Sequence, residues 1–262
     1  MRDSEEFRTN TQRLAQFAEA IGDTNPRHLS GSVATPVFNH VPVMQSMVEV
    51  LDQVTKGFIL HGQHDFLFHR PIVPGQRLFS QSQLIGTGSS KAGALYFVRS
   101  ITRTHDGHDV CTQFSTCLVQ GASGKDSGGR PPDTPKPARS GEPVTMRYPI
   151  PADLTLRYAD AARDYSPYTI DPVLAAANGL PAPIVHGMCT LALIARGIVE
   201  AAAGGDVRRL KRLGCRFSHP LYLTEGQELR ARLWQGSGQV AFEAEDKDGN
   251  VVVKNGFAEV AS

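Results

Sequence analysis

Residues Tyr158–Glu200 read YADAARDYSPYTIDPVLAAANGLPAPIVHGMCTLALIARGIVE. The stretch holds a short polar helix, then Asp164 ahead of a Ser-Pro turn, a loop, and a long apolar helix. That last helix opens at Pro183, His186 and Gly187 and carries no charged residue between His186 and Arg196. The order of elements here is the key to the rest of the chain, because it occurs twice.

The first copy lies near the N-terminus. Phe7, Leu14, Phe17, Ala18 and Ile21 recur at helical spacing and predict a helix over 5–21 that Gly22 stops. Asp23-Thr24-Asn25-Pro26-Arg27-His28 is turn chemistry, since a proline disfavours helix in the residue before it. After a loop to Pro36, VFNHVPVMQSMVEVLDQV has the apolar spacing of a helix, with Pro42 tolerated in its first turn. From Gly57 the chain turns to β-branched and aromatic residues broken by Pro71, Pro74 and Gly75, which reads as strand, turn, strand. Gly86–Gly93 predicts a hairpin turn, and Asp106-Gly107 between two β-rich runs predicts another.

The second half lies over the first. Phe17 and Gly22-Asp23 match Tyr158 and Arg163-Asp164 at a spacing of 141 positions, where Asn25-Pro26 also meets Ser166-Pro167 and His28 meets Thr169. Pro36–Asn39 resembles Pro183–His186, and the Asp106-Gly107 turn returns as Asp248-Gly249. A repeat this long implies two supersecondary units of like build. The fold class is therefore α+β, with two antiparallel sheets each wrapped on a long central helix. The halves are residues 1–121 and 146–262, joined by a Gly-, Pro- and Ser-rich linker over 122–145.

Composition narrows the function. Of 262 residues, 40% are hydrophobic and 20% charged, which suits a globular protein with a real core. A net charge of +1 supplies no field for nucleic acid or an anionic membrane. The polar start MRDSEEFRTN is no signal peptide, and no apolar run reaches the roughly 18 residues of a membrane span. Cys111, Cys117, Cys189 and Cys215 show neither C-x-x-C pairing nor zinc-like spacing, so free thiols in the cytoplasm are expected, with no metal site. His61, His64 and His69 read as a structural or solvated set. Arg208, Arg209, Lys211 and Arg212 suit either the phosphates of coenzyme A or a solvated strand edge. Gly86–Lys91 lacks phosphate-loop spacing.

The chemistry falls on a few residues. Asp23 and His28, five positions apart across an Asn-Pro turn, can converge on one water as an acid–base pair, with Asn25 in support. The same spacing also suits a turn-capping Asp and a solvated loop His. Gly187, at the start of the long helix, lets a carbonyl approach unpaired backbone N–H groups, which is what an enolate oxyanion needs. It equally suits close helix–sheet packing. His40 stands at the corresponding helix start of the first copy.

These residues carry a resemblance. The motif Y/F…G-D-x-N-P-x-H-x-D-P, followed by P-I-x-H-G-x-x-T, is that of the MaoC-like, R-specific enoyl-CoA hydratase (hydratase 2) family. The C-terminal half matches at Tyr158, Asp164, Pro167, Asp171, Pro172, Pro183, Ile184, His186, Gly187 and Thr190, and the N-terminal half at Phe17, Gly22, Asp23, Asn25, Pro26 and His28. The resemblance implies a double hot-dog fold and reversible hydration of a 2-enoyl thioester of coenzyme A or acyl-carrier protein. It implies no cofactor, and a homodimer. It also exposes a departure. Thr169 replaces the family's histidine, so Asp164 reads as a second-copy remnant and the catalytic pair is expected at Asp23 and His28. Gly187 and His40 are the expected oxyanion or substrate contacts. A hot-dog thioesterase and a non-catalytic acyl-binding or assembly subunit are the alternatives.

Overall fold

The structure, a computed structural model, describes residues 1–261. The N-terminal residues do not join the first helix. Arg2–Asp3 (β1) and Phe7–Arg8 (β2) extend along a later strand, and helix α1 covers only Thr11–Ala20. The Asn10 side chain accepts the Arg13 N–H and fixes that start. At the other end Gly22, at φ +61°, closes the helix, with Asp23 N–H donating back to Ala18 O. A single turn, α2 (Pro26–Leu29), follows.

The expected long helix of the first half is interrupted. Pro36–Val43 winds as a tight 3-10 segment containing Pro42, and only Met44–Asp52 (α3) is α-helical. Proline lacks the N–H that the preceding turn would need, so the α-ladder starts after it. The sheet of this half is β3 (Ile59–Phe68), β4 (Arg77–Ser90), β5 (Gly93–Thr104) and β6 (Asp109–Gln120). Gly86–Ser90 belongs to β4, so the turn expected over Gly86–Gly93 shrinks to Lys91-Ala92. The linker is held down: Ser127–Gly128 (β7) pairs with β4, and Gln63 donates to Thr134.

The second half opens with β8 (Val144–Pro149), α4 (Leu154–Ala162), α5 (Pro167–Ile170) and α6 (Pro172–Ala177). The uncharged run then forms α7 (Gly187–Ala203), which a left-handed Gly204 ends. Strands β9 (Leu210–Phe217), β10 (Glu228–Gly236), β11 (Gln239–Glu245) and β12 (Val251–Val260) wrap it. Leu191, Ile194 and Ile198 of α7 pack with Phe242 and Val253 in the main core, which also takes in Phe17 and Phe38 of the first half. A small satellite core of Met47, Val50, Leu51, Val98 and Cys117 sits under α3.

The two expected sheets are one. β3 pairs antiparallel with β9, giving the continuous order β1-β4-β5-β6-β3-β9-β12-β11-β10-β8. At this seam Gly214 faces Asp65, and a Cβ there would lie 2.7 Å from the His64 carbonyl oxygen. Arg212 crosses the seam to Asp65, with Nε 3.0 Å from Oδ1. Among the basic cluster, Arg212 is thus committed to a buried carboxylate and Arg208 to Asp206. Lys211 and Arg212 lie on β9, an interior strand, so the strand-edge reading fails for these two. The pairing of repeats is direct: Phe17 and Tyr158, equivalent by sequence, meet edge to face at 5.6 Å between centroids. Among the described residues no helix is long and apolar enough to cross a membrane.

Candidate active site

Asp23 and His28 are brought together and bond to each other directly. His28 Nδ1 lies 2.7 Å from Asp23 Oδ2, while Asp23 Oδ1 accepts the Asn25 N–H. Both side chains are sealed, at 1% and 3% exposure, and His28 Nε2 is buried without a protein partner among the described residues. Asn25 caps α2 and ties it to the other half by donating from Nδ2 to Gly205 O. Arg196 of α7 lies across the mouth, donating to Ile21 O, with its guanidinium 4.8 Å from the Tyr148 ring centre. The groove over this turn is roomy, about 980 Å³, yet its walls carry Arg27, Arg147, Arg196, Glu200 and Asp206, and His28 does not reach it. An acyl chain needs an apolar wall. Asp23 borders this groove, while His28 is bonded to Asp23 from behind and covered.

A different cavity answers to that description. It holds about 510 Å³, has mostly apolar walls, and is built from both halves. Met44, Met47 and Leu51 of α3 and the first residues of β3 form one side. Asp164, Thr169 and the start of α7 form the other. Asp164 is the half-buried carboxylate here. Its Oδ1 accepts the Ser166 N–H at 3.2 Å and the Ser166 hydroxyl at 2.7 Å, and Oδ2 has no protein hydrogen bond among the described residues. Ser166, where the first copy has Asn25, thus aims the carboxylate.

Thr169 is a latch. Its hydroxyl donates to Ser166 O at 2.6 Å, so its oxygen is left to accept from His186 Nε2 at 2.8 Å. His186 Nε2 also sits 3.0 Å from the Asp164 carbonyl oxygen, which can only accept. The proton of neutral His186 is therefore on Nε2, and its Nδ1 lone pair is sealed inside the protein. Burial lowers the His186 pKa, opposed by the nearby Asp164 charge.

Gly187 is the first residue of α7, whose start has no side-chain cap, so the first-turn N–H groups point to the cavity end unpaired by any such cap. A Cβ on Gly187 would meet the Phe217 ring at 3.4 Å, so the glycine keeps a slot open between ring and helix. His40, expected at a helix start, lies instead within the 3-10 segment and on the wall of this same cavity. Its Nδ1 is 3.2 Å from Gln113 Oε1. His61, which the sequence reading treated as structural or solvated, is on the wall too, and His64 stands behind it, with His61 Nε2 3.0 Å from His64 Nδ1. Burial drives the His61 pKa down to about 3 and that of His64 well below the ordinary value. No group of three or more His, Cys, Asp or Glu side chains among the described residues is arranged to hold a metal ion.

Comparison with known proteins agrees with the repeat and with the motif. The MaoC like domain model matches residues 129–256, and the FAS1-like, dehydratase domain region model matches residues 3–113. The chain carries a MaoC-like dehydratase domain in its second half and a FAS1-like dehydratase region in its first. A MaoC-like dehydratase from Phytophthora capsici superposes with a TM-score of 0.85 at 25% identity, covering 100% of this chain and 96% of that one. A Mycobacterium tuberculosis protein described as having a double hot-dog fold superposes with a TM-score of 0.64 at 15% identity, over 98% and 93% of the two chains. Peroxisomal enoyl-CoA hydratase 2 of Arabidopsis thaliana is 25% identical, matching 86% of this chain and 77% of its own length. The peroxisomal multifunctional enzyme type 2 of Mus musculus is 27% identical over 77% of this chain but only 27% of that longer protein. This MaoC-like chain is thus a double hot-dog whose two halves share one sheet, with its apolar cavity on the C-terminal motif.

Proposed function

We propose that the protein is a hydro-lyase that adds or removes water at the 2,3-bond of an acyl thioester, working in the 510 Å³ cavity. One observation carries this reading: the free oxygen of Asp164 and the uncapped start of α7 open on the same mostly apolar space. An acyl chain would lie along Met44, Met47 and Leu51. Its thioester oxygen would take the N–H groups at Gly187, where the helix dipole favours the negative charge of an enolate. Asp164 would hold the water at the 3-carbon. The (R)-3-hydroxy product follows the family resemblance, and the thiol carrier is coenzyme A or a carrier protein. The enoyl-CoA hydratase 2 relative supports the substrate class by its name. Catalysis of this kind calls on no cofactor.

The test is hydration of crotonyl-CoA and longer 2-enoyl-CoAs, followed by loss of the conjugated enoyl absorbance. The account expects absorbance loss without release of free thiol. Thiol release, read with a disulfide reagent, would move the protein to the thioesterases. Binding of acyl-CoA with no turnover would make it a binding subunit. Four free, buried cysteines support a reducing compartment such as the cytoplasm, and fractionation reads that directly. Light scattering reads the homodimer that the resemblance suggests.

A further inference from the structure

The hydro-lyase reading leaves a gap. A carboxylate alone must both hold the water and take its proton, because the C-terminal motif has Thr169 where the base belongs, and Thr169 spends its hydroxyl on Ser166 O. We propose that His40, from the N-terminal half, is the general base of this cavity and works with Asp164 across the boundary between the two halves. The proposal rests on the reading of the cavity as a hydro-lyase site.

The hydrogen-bond network decides which histidine can serve. Gln113 donates from Nε2 to Asn39 O at 2.7 Å, and a carbonyl oxygen can only accept, so the amide is fixed with Oε1 toward His40. That Oε1 accepts from His40 Nδ1. Neutral His40 therefore carries its proton on Nδ1 and keeps a lone pair on Nε2. A bound orientation and a defined tautomer are what a general base requires. His186, on the opposite wall, has the reverse arrangement, with its proton on Nε2 and its lone pair sealed away from the cavity. His61 spends Nε2 on His64 and protonates only near pH 3, too weak a base to take a proton from water. His40 is itself lowered by burial, but its bond to Gln113 and the negative charge of Asp164 act the other way. The titratable groups facing His40 are His61 and His64 from β3, with ring centres at 5.7 and 5.1 Å, and Asp164 from the turn after α4.

The step balances without a further reagent. The water oxygen bonds to C3 of the enoyl thioester as His40 Nε2 takes one of its protons. The π pair moves to C2 and on to the thioester oxygen, held at the start of α7. Imidazolium His40 then returns the proton to C2, on the face from which water added, while ionised Asp164 orients the water and offsets the transient positive charge. The reverse sequence eliminates water.

The experiment is the pH profile of enoyl-CoA hydration for wild type, His40→Gln, His40→Gly and Gln113→Leu, with kcat and KM separated. His40→Gln is expected to lose about a hundredfold or more in kcat with KM nearly unchanged, and to lose the acid limb of kcat/KM. Added imidazole is expected to restore part of the His40→Gly activity, a response no structural role would give. Gln113→Leu, which frees the tautomer, is expected to lower kcat about tenfold and shift the acid limb to lower pH. Folded His40→Gln with wild-type kcat and an unmoved acid limb would overturn the proposal and leave the hydro-lyase reading standing. If His40→Gln does not fold, a Gln113→Leu protein with wild-type kcat and limb overturns it equally. A wild-type protein inert toward every enoyl- and 3-hydroxyacyl-CoA removes both together.

Discussion

The two copies of the motif have divided what one copy would normally hold. The N-terminal turn keeps Asp23, Asn25 and His28, but folds them into a closed bond 2.7 Å long that the other half covers. The C-terminal turn has exchanged two of those residues, Asn for Ser166 and His for Thr169, yet keeps the open carboxylate, the glycine and the apolar cavity. A motif intact in sequence has become a brace, and a motif incomplete in sequence has kept the space in which chemistry can occur. What separates them is solvent access, which depends on the partner half and not on the motif.

Exchanging the carboxylates breaks or confirms this division most sharply. Asp164→Asn is expected to cost about a thousandfold in kcat for enoyl-CoA hydration. Asp23→Asn, which can still accept from His28, should stay within about threefold of wild type. Steady-state kinetics on both proteins checks the pair, and the opposite ranking returns the site to the N-terminal copy. His28→Leu should act on stability. It leaves the buried Asp23 carboxylate without its imidazole, at a cost of about 3 kcal/mol in denaturant unfolding. Asp23→Leu with His28→Leu should recover part of that loss, since no orphaned charge remains.

The buried histidines of the cavity predict a smaller, pH-dependent effect. Their folded pKa values lie below the ordinary 6.5, with His61 at about 3. Both states are neutral above pH 6.5, and between there and pH 3 the unfolded chain binds more protons than the folded one. Stability should therefore fall on acidification through this window, by up to about 1.4 kcal/mol per pH unit per histidine. Urea titrations at several pH values measure the slope, and His61→Gln should flatten it.

The smallest effect separates the two helix ends. Gly22 and Arg163 occupy equivalent positions, and both are left-handed, at φ +61° and +57°. Arg163→Gly should then stabilise by about 1 kcal/mol, and Gly22→Ala should destabilise by a similar amount. A thermal melt reading no difference for either would mean that the ends are relaxed by their surroundings.

The repeat itself was legible in the chain. Turn chemistry and apolar spacing placed both helix–turn units, the strands after them and the uncharged helix that became α7. What was not legible came from contacts between distant segments. Pairing of β3 with β9 depends on Asp65 meeting Gly214, positions with no motif between them. It merged two expected sheets and put Lys211 and Arg212 on an interior strand instead of an edge. Pro42 was read as tolerated in a first turn, whereas it held eight residues in a 3-10 path and put His40 on the cavity wall. The meeting of His40 with the Asp164 side of the molecule joins positions from different halves, and no local pattern marks it.

The most direct test is a crystal structure with a non-reacting 2-enoyl-CoA analogue bound. The account predicts the acyl chain along Met47 and Leu51, the thioester oxygen on the first N–H groups of α7 at Gly187, and the 2,3-carbons between Asp164 and His40. An acyl chain seated instead against an opened Asp23–His28 pair, with the C-terminal cavity empty, would contradict it.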